Sequence, residues 1–122
     1  RLVRRICNAC IYSYDPGQEM KELIAHELAS VNGDAGLLPK TYYQGKGCAV
    51  CGMTSYRGRF GIFEVLQVTD TMKEALSAPQ FSLDTFTKAA RKEGMQTMFE
   101  DGLMKVQLGM TTLEEVLRVI RE

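Results

Sequence analysis

Apolar residues recur at two kinds of spacing along this chain, and the spacing changes near residue 69. In the first part the apolar runs are short. Leu2, Val3 and Ile6 lead into Cys7 as the end of a strand or helix. Residues 15–18 have the form of a helix start, with Asp15 as N-cap, Pro16 in the first turn and Gln18 at the capping-box position. Met20, Leu23, Ile24, Leu28 and Val31 then repeat at helical spacing. Gly33 and Gly36 end that helix, and Pro39 keeps the following loop out of it. Residues 41–44 read as a strand. Residues 59–68 read as a longer one, apolar on both faces and expected to be covered on both.

From residue 70 the period becomes helical. Thr71 with Glu74 is expected to cap a short helix that Pro79 closes. Ser82 opens the next, with Leu83, Phe86 and Ala90 on one stripe and Gly94 as the stop. Thr97 with Glu100 forms a capping box for a helix bearing Phe99, Leu103 and Val106, which ends at Gly109. Thr111 with Glu114, or Thr112 with Glu115, starts a last helix carrying Leu113, Val116, Leu117 and Ile120. The expected fold is α+β. A lobe of residues 1–68, with short antiparallel strands and one inserted helix, precedes a C-terminal bundle of about four helices in residues 69–122.

Composition sets the class. With 122 residues, 45% of them hydrophobic, the chain can bury a core, which excludes disordered and fibrous classes. No run of about 18 apolar residues is present to span a membrane. The chain opens on Arg1, within a strand-like pattern and without a signal peptide, so a piece of a larger protein is expected.

A formal net charge of zero hides a division. Residues 1–14 and 35–63 carry Arg1, Arg4, Arg5, Lys40, Lys46, Arg57 and Arg59 and no acid at all. Those basic stretches are also the ones that hold the cysteines.

The cysteines are Cys7-x-x-Cys10 and Cys48-x-x-Cys51, separated by residues 11–47. Two such pairs supply four thiolates, and each pair can grip one tetrahedral ion from a tight turn. Gly52 lets the backbone turn so that N–H groups can point at a sulfur. The separation exceeds the ~15–20 residues of a compact ribbon, and a whole helix is expected inside it. The pattern predicts one structural zinc per chain on Cys7, Cys10, Cys48 and Cys51, with iron–sulfur as the residual metal option. Four buried free cysteines would not need paired spacing. Disulfides would need an oxidising compartment. A redox C-x-x-C would precede a helix, and neither pair does so clearly. A tetrathiolate zinc carries about −2 charge, which nearby bases offset. Seven bases exceed that need, so the surplus either meets an anionic partner or forms a solvated face.

Three other features are weaker. His26 is the only histidine and points away from the apolar stripe of its helix, as a surface residue does. Glu64 shares a strand face with Phe60, Ile62, Leu66 and Val68, where an arginine partner is expected. Residues 33–41, GDAGLLPKT, end in Lys-Thr like a phosphate loop, but Asp34 and Pro39 stand where both glycines are required.

The stretches RLVRRICNAC, GCAVCGMTSYRGRFGIFEVL, ARKEGMQTMFEDGLMKV and GMTTLEEVLRV occur in order across nearly the whole chain. Together they resemble the C-terminal, tetracysteine zinc-binding region of the type II secretion and type IV pilus assembly ATPases (GspE/PilB-like). That resemblance implies a hexameric ring motor in the cytoplasm, peripherally associated with the bacterial inner membrane through a platform protein. It implies an upstream ATPase domain on the same chain that binds ATP and Mg, with neighbouring ring subunits as partners. No catalytic residue is carried over to this chain. The alternative is a stand-alone zinc-ribbon module binding nucleic acid. Against it, aromatic and basic residues do not interleave beyond Tyr42, Tyr43 and Tyr56, and the chain from Glu64 onward is acidic.

Overall fold

The computed structural model describes residues 1–121 and has the expected α+β class. Four short strands come first: β1 (Leu2–Ile6), β2 (Ile11–Tyr14), β3 (Tyr42–Gly45) and β4 (Tyr56–Gly61). Helix α1 (Gln18–Ser30) is inserted between β2 and β3. Helices α2 (Asp70–Ser77), α3 (Leu83–Lys92), α4 (Met98–Gln107) and α5 (Leu113–Ile120) follow.

The strands form two separate antiparallel ladders. β1 pairs with β4, running from Leu2 opposite Gly61 to Ile6 opposite Tyr56. β2 pairs with β3, running from Ile11 opposite Gly45 to Tyr14 opposite Tyr42. The first ladder is irregular between Arg4 and Ile6, where β4 carries one residue more than β1. Gly58 lies in that bulge at φ 82°, a left-handed conformation that a side chain would resist.

Period-two alternation decides what β1 buries. Val3 turns inward against Ile62 and Val119, with Phe60 packed beside them, while Leu2 stays exposed. The larger core joins Ile24 and Leu28 of α1 to Tyr42 of β3. Phe99, Leu103 and Val106 of α4 and Leu113, Val116 and Leu117 of α5 complete it. Gly102 makes the close crossing of α4 and α5 possible, since a Cβ there would lie 2.6 Å from Val116 Cγ1.

Several expectations about element ends are corrected. Asp15 does not cap α1: the N-cap is Gly17, at φ 90°, and Asp15 Oδ1 instead accepts the Gly17 N–H at 2.9 Å in a local turn. α2 begins two residues earlier than expected, capped by Thr69 rather than Thr71, and the Thr69 hydroxyl accepts the Met72 N–H. Ser82 caps α3 as expected, and Thr112 rather than Thr111 caps α5. β4 stops at Gly61 rather than at residue 68. Its last ladder partner is Leu2, and beyond the buried Ile62 the side chains of Phe63, Val65 and Val68 are exposed. An apolar run with no partner strand has no ladder to hold it extended.

The chain divides into two compact units. One comprises Arg1–Phe63 with the chain from Met98 onward, and the other is Glu64–Thr97. This differs from the expected boundary at residue 68 and from a single four-helix bundle. α4 and α5 pack on each other within the first unit, and α2 and α3 pack on each other within the second. Hydrogen bonds explain why the last helix returns to the strands. The Thr111 hydroxyl donates to the Arg4 carbonyl at 2.8 Å, and the Ile6 N–H donates to the Met110 carbonyl at 3.0 Å. No helix among the described residues is long and apolar enough to cross a membrane.

Candidate metal centre

The two ladders bring the cysteines together. The Cys7–Cys10 turn links β1 to β2, and the Cys48–Cys51 turn links β3 to β4. Because β1 pairs with β4 and β2 with β3, both turns lie at the ends of both ladders and must face each other. Further backbone bonds tie them: the Cys7 N–H donates to the Ser55 carbonyl at 3.0 Å, and the Lys46 N–H to the Cys10 carbonyl at 3.1 Å. Helix α1 fills the long separation between the pairs without disturbing this meeting, since it enters after β2 and leaves before β3.

The four Sγ atoms lie within 4.8 Å of one another. Cys7 to Cys48 is 3.8 Å, Cys10 to Cys51 is 3.9 Å and Cys48 to Cys51 is 3.7 Å. These distances are far from the ~2.05 Å of a disulfide bond, and all four cysteines are free. Cys7 and Cys51 are buried and the other two are half-buried. Such a cluster could hold one metal ion.

Backbone N–H groups point at one sulfur in particular. Those of Cys48 and Ser55 each donate to Cys51 Sγ at 3.3 Å. Gly52, at φ 64°, makes the turn that permits this. Burial pushes the Cys51 thiol up, but the two N–H groups and the neighbouring thiols of Cys48 and Cys10 outweigh it, and the group is held down at about 6. Cys10 moves the other way, to about 11, through burial and the adjacent thiols, although the Gly47 backbone opposes this. The physical content is that four crowded thiols resist ionising together unless a cation sits among them.

A second polar cluster stands on β1 and α5. Glu115 is only 2% exposed. Its carboxylate accepts the Arg4 backbone N–H at 2.9 Å and the Arg4 guanidinium at 3.0 and 2.7 Å. Arg118 donates to it at 3.3 and 2.9 Å. Burial would raise the Glu115 carboxyl, but Arg118 and Arg4 hold it down at about 2. The Arg4 guanidinium lies 4.1 Å from the centre of the Tyr56 ring, and the Tyr56 and Thr112 hydroxyls share a 2.8 Å hydrogen bond.

This cluster was not anticipated. Glu64, expected on a strand face, is exposed and lies outside any strand. A signal for Glu115 does exist: it stands four residues before Val119, in phase with an apolar helix face. Arg4, one of the seven bases of the cysteine stretches, is nearly half exposed and is the partner of the buried Glu115. Arg5 and Lys46 also cover aromatic rings, at 4.8 Å from Phe60 and 5.3 Å from Tyr12. Arg57 and Arg59 are exposed, and so is His26 on α1. In residues 33–41, Asp34 accepts the Gly36 N–H at 2.9 Å and caps a single 3-10 turn, Ala35–Leu37. That turn is not a phosphate cradle.

The chain is similar to known proteins along nearly its whole length. A model of the type II/IV secretion system protein family matches residues 1–118. The type IV pilus assembly ATPase PilB of Thermus thermophilus is 40% identical over 117 residues, covering 96% of this chain and 12% of that protein. The type II secretion system protein E of Pseudomonas aeruginosa is 37% identical over 122 residues, covering 100% of this chain and 22% of that protein. The type II secretion system ATPase E of Vibrio cholerae is 33% identical, again over 100% of this chain and 22% of its own length. The chain therefore spans between about an eighth and a fifth of these relatives.

Proposed function

The chain belongs to the type II/IV secretion system protein family, and on that premise we propose that it is the C-terminal, zinc-stiffened region of an ATP-driven motor for type IV pilus or type II pseudopilus assembly. The match over residues 1–118 carries this reading, because the relatives it joins are named as pilus assembly and secretion ATPases. ATP and Mg belong to an upstream domain of the same polypeptide, since these residues offer no phosphate loop. The partners are neighbouring subunits of a hexameric ring and an inner-membrane platform protein, on the cytoplasmic side.

The zinc reading has its own support. With Zn–S bonds of about 2.3 Å, a tetrahedral site needs sulfur–sulfur edges of roughly 3.8 Å. Three of the six sulfur–sulfur distances are 3.7, 3.8 and 3.9 Å, and all lie within 4.8 Å. Cys7, Cys10, Cys48 and Cys51 would hold the ion, which supplies cross-linking rather than chemistry. The N–H groups of Cys48 and Ser55 then stabilise the thiolate of Cys51, as outer-shell donors do for metal ligands.

The test uses both the chain and the complete polypeptide that carries it. The complete protein should hydrolyse ATP, and the 122-residue chain should neither bind nor hydrolyse it in calorimetric and phosphate-release assays. Cys48→Ser with Cys51→Ser in the complete protein should abolish pilus formation or secretion. A complete protein without ATPase activity would remove the motor reading. Normal assembly by the double variant would remove the role given to the zinc region.

A further inference from the structure

The face of the β1–β4 ladder carries a groove of about 690 Å³, lined by Leu2, Arg4, Thr54, Tyr56, Arg59 and Arg118. We infer that this groove is a binding site for an acidic peptide segment, one that presents carboxylates on either side of an apolar residue.

Charge is the first argument. Three guanidinium groups line the groove. The one acid shown bound to them, Glu115, is buried and already engaged by both Arg4 and Arg118. Arg59 is exposed and stands directly opposite Arg4 in the ladder register. Like charges facing each other across two strands oppose pairing unless a counter-charge relieves them. Glu115 supplies that counter-charge for Arg4, and no acid lies within residues 35–63 beside the exposed Arg59.

Geometry is the second. The Arg4 guanidinium is fixed by Glu115 and by the Tyr56 ring, so one anchor of the site is ordered before any ligand arrives. A groove of this volume exceeds a single small anion and suits a few residues of extended chain. Leu2, 58% exposed at its wall, offers an apolar contact between the charged ones.

Carboxylates fit better than phosphates. Phosphate sites commonly recruit backbone N–H groups or an open helix N-terminus. The nearby α5 N-terminus is closed by Thr112, which accepts the Glu115 N–H. The Thr54 hydroxyl donates within its own turn, and the Tyr56 hydroxyl is bonded to Thr112. The remaining donors are arginine forks, and the same forks already grip one carboxylate here.

The probe is a fluorescein-labelled Glu-Glu-Leu-Glu-Glu peptide, titrated by anisotropy against the zinc-loaded chain at about 0.15 M salt, where long-range attraction is screened. Saturable binding is expected. Arg59→Glu should weaken it by about tenfold and Arg59→Gln by about fivefold, whereas Arg57→Glu, the same charge change outside the groove, should weaken it by less than about twofold. Unchanged melting temperatures would show that the exposed substitutions leave the fold intact. Equal losses from Arg57→Glu and Arg59→Glu would overturn the site in favour of diffuse attraction. Arg59-dependent binding of inorganic pyrophosphate without binding of the peptide would overturn the acidic-peptide assignment, as would no saturable binding of either.

Discussion

Cys51→Ser should release the metal, lower the thermal midpoint by about 10–15 °C and loosen both ladders while sparing much of the helical content. The magnitude follows from the role proposed for a structural ion, which would tie two turns that otherwise meet through a few hydrogen bonds and whose binding energy would be folding energy. A loss of about 3 kcal/mol or more is expected, which at this chain length corresponds to such a shift. Cys51 is the most sensitive of the four because its sulfur also accepts the N–H groups of Cys48 and Ser55, and serine would place a shorter, harder atom there. The loosening should be local. The larger core contains Ile24, Leu28, Phe99, Leu103, Val106 and Val116 and no cysteine. Hydrogen exchange should therefore lose protection in residues 2–14 and 42–61 first, with α1, α4 and α5 retaining it longer. Circular dichroism and exchange on the same sample check this, and uniform loss across the helices would contradict it.

Glu115→Gln should destabilise the chain by about 2 kcal/mol near neutral pH and by much less in acid. The folded Glu115 carboxyl titrates near about 2, against 4.5 for the unexceptional group. A depressed folded value means a contribution present in full above about pH 5 and lost as pH falls towards 2. The whole interval would correspond to about 3 kcal/mol. Arg4 and Arg118 are each nearly half exposed, at 49% and 45%, so water takes back part of that. Denaturant melts of the two proteins at pH 7, 4 and 2.5 should converge as the pH drops. A constant difference across that range would mean that Glu115 acts through packing rather than through its charge.

Sequence patterns brought out the α+β class and the four clustered cysteines more readily than the ends and allocation of the elements. The paired cysteines were legible because metal chemistry dictates their spacing and does not depend on what surrounds them. The stripe of α1 and the cap of α3 at Ser82 were legible because they are local. The end of β4 was not. Phe63, Val65 and Val68 look like a buried strand in sequence, since a continuous apolar run reads the same with or without a partner strand. The allocation of helices was equally hidden. Nothing local to α4 and α5 distinguishes them from α2 and α3, and what returns them to the strands is a set of long-range bonds, among them Thr111 to Arg4 and Glu115 to Arg4. Those same bonds tie the half-exposed Arg4 to the buried Glu115. Arg57 and Arg59, by contrast, lie on the exposed side of β4.

The central claim is that Cys7, Cys10, Cys48 and Cys51 form one tetrahedral zinc site on which the two ladders are built. Elemental analysis of protein purified without added metal, combined with X-ray absorption at the zinc edge, tests it most directly. The account predicts one zinc per chain with four sulfur neighbours at about 2.3 Å. Protein that is folded and metal-free, or that carries iron alone, or zinc bound through nitrogen or oxygen, would contradict it.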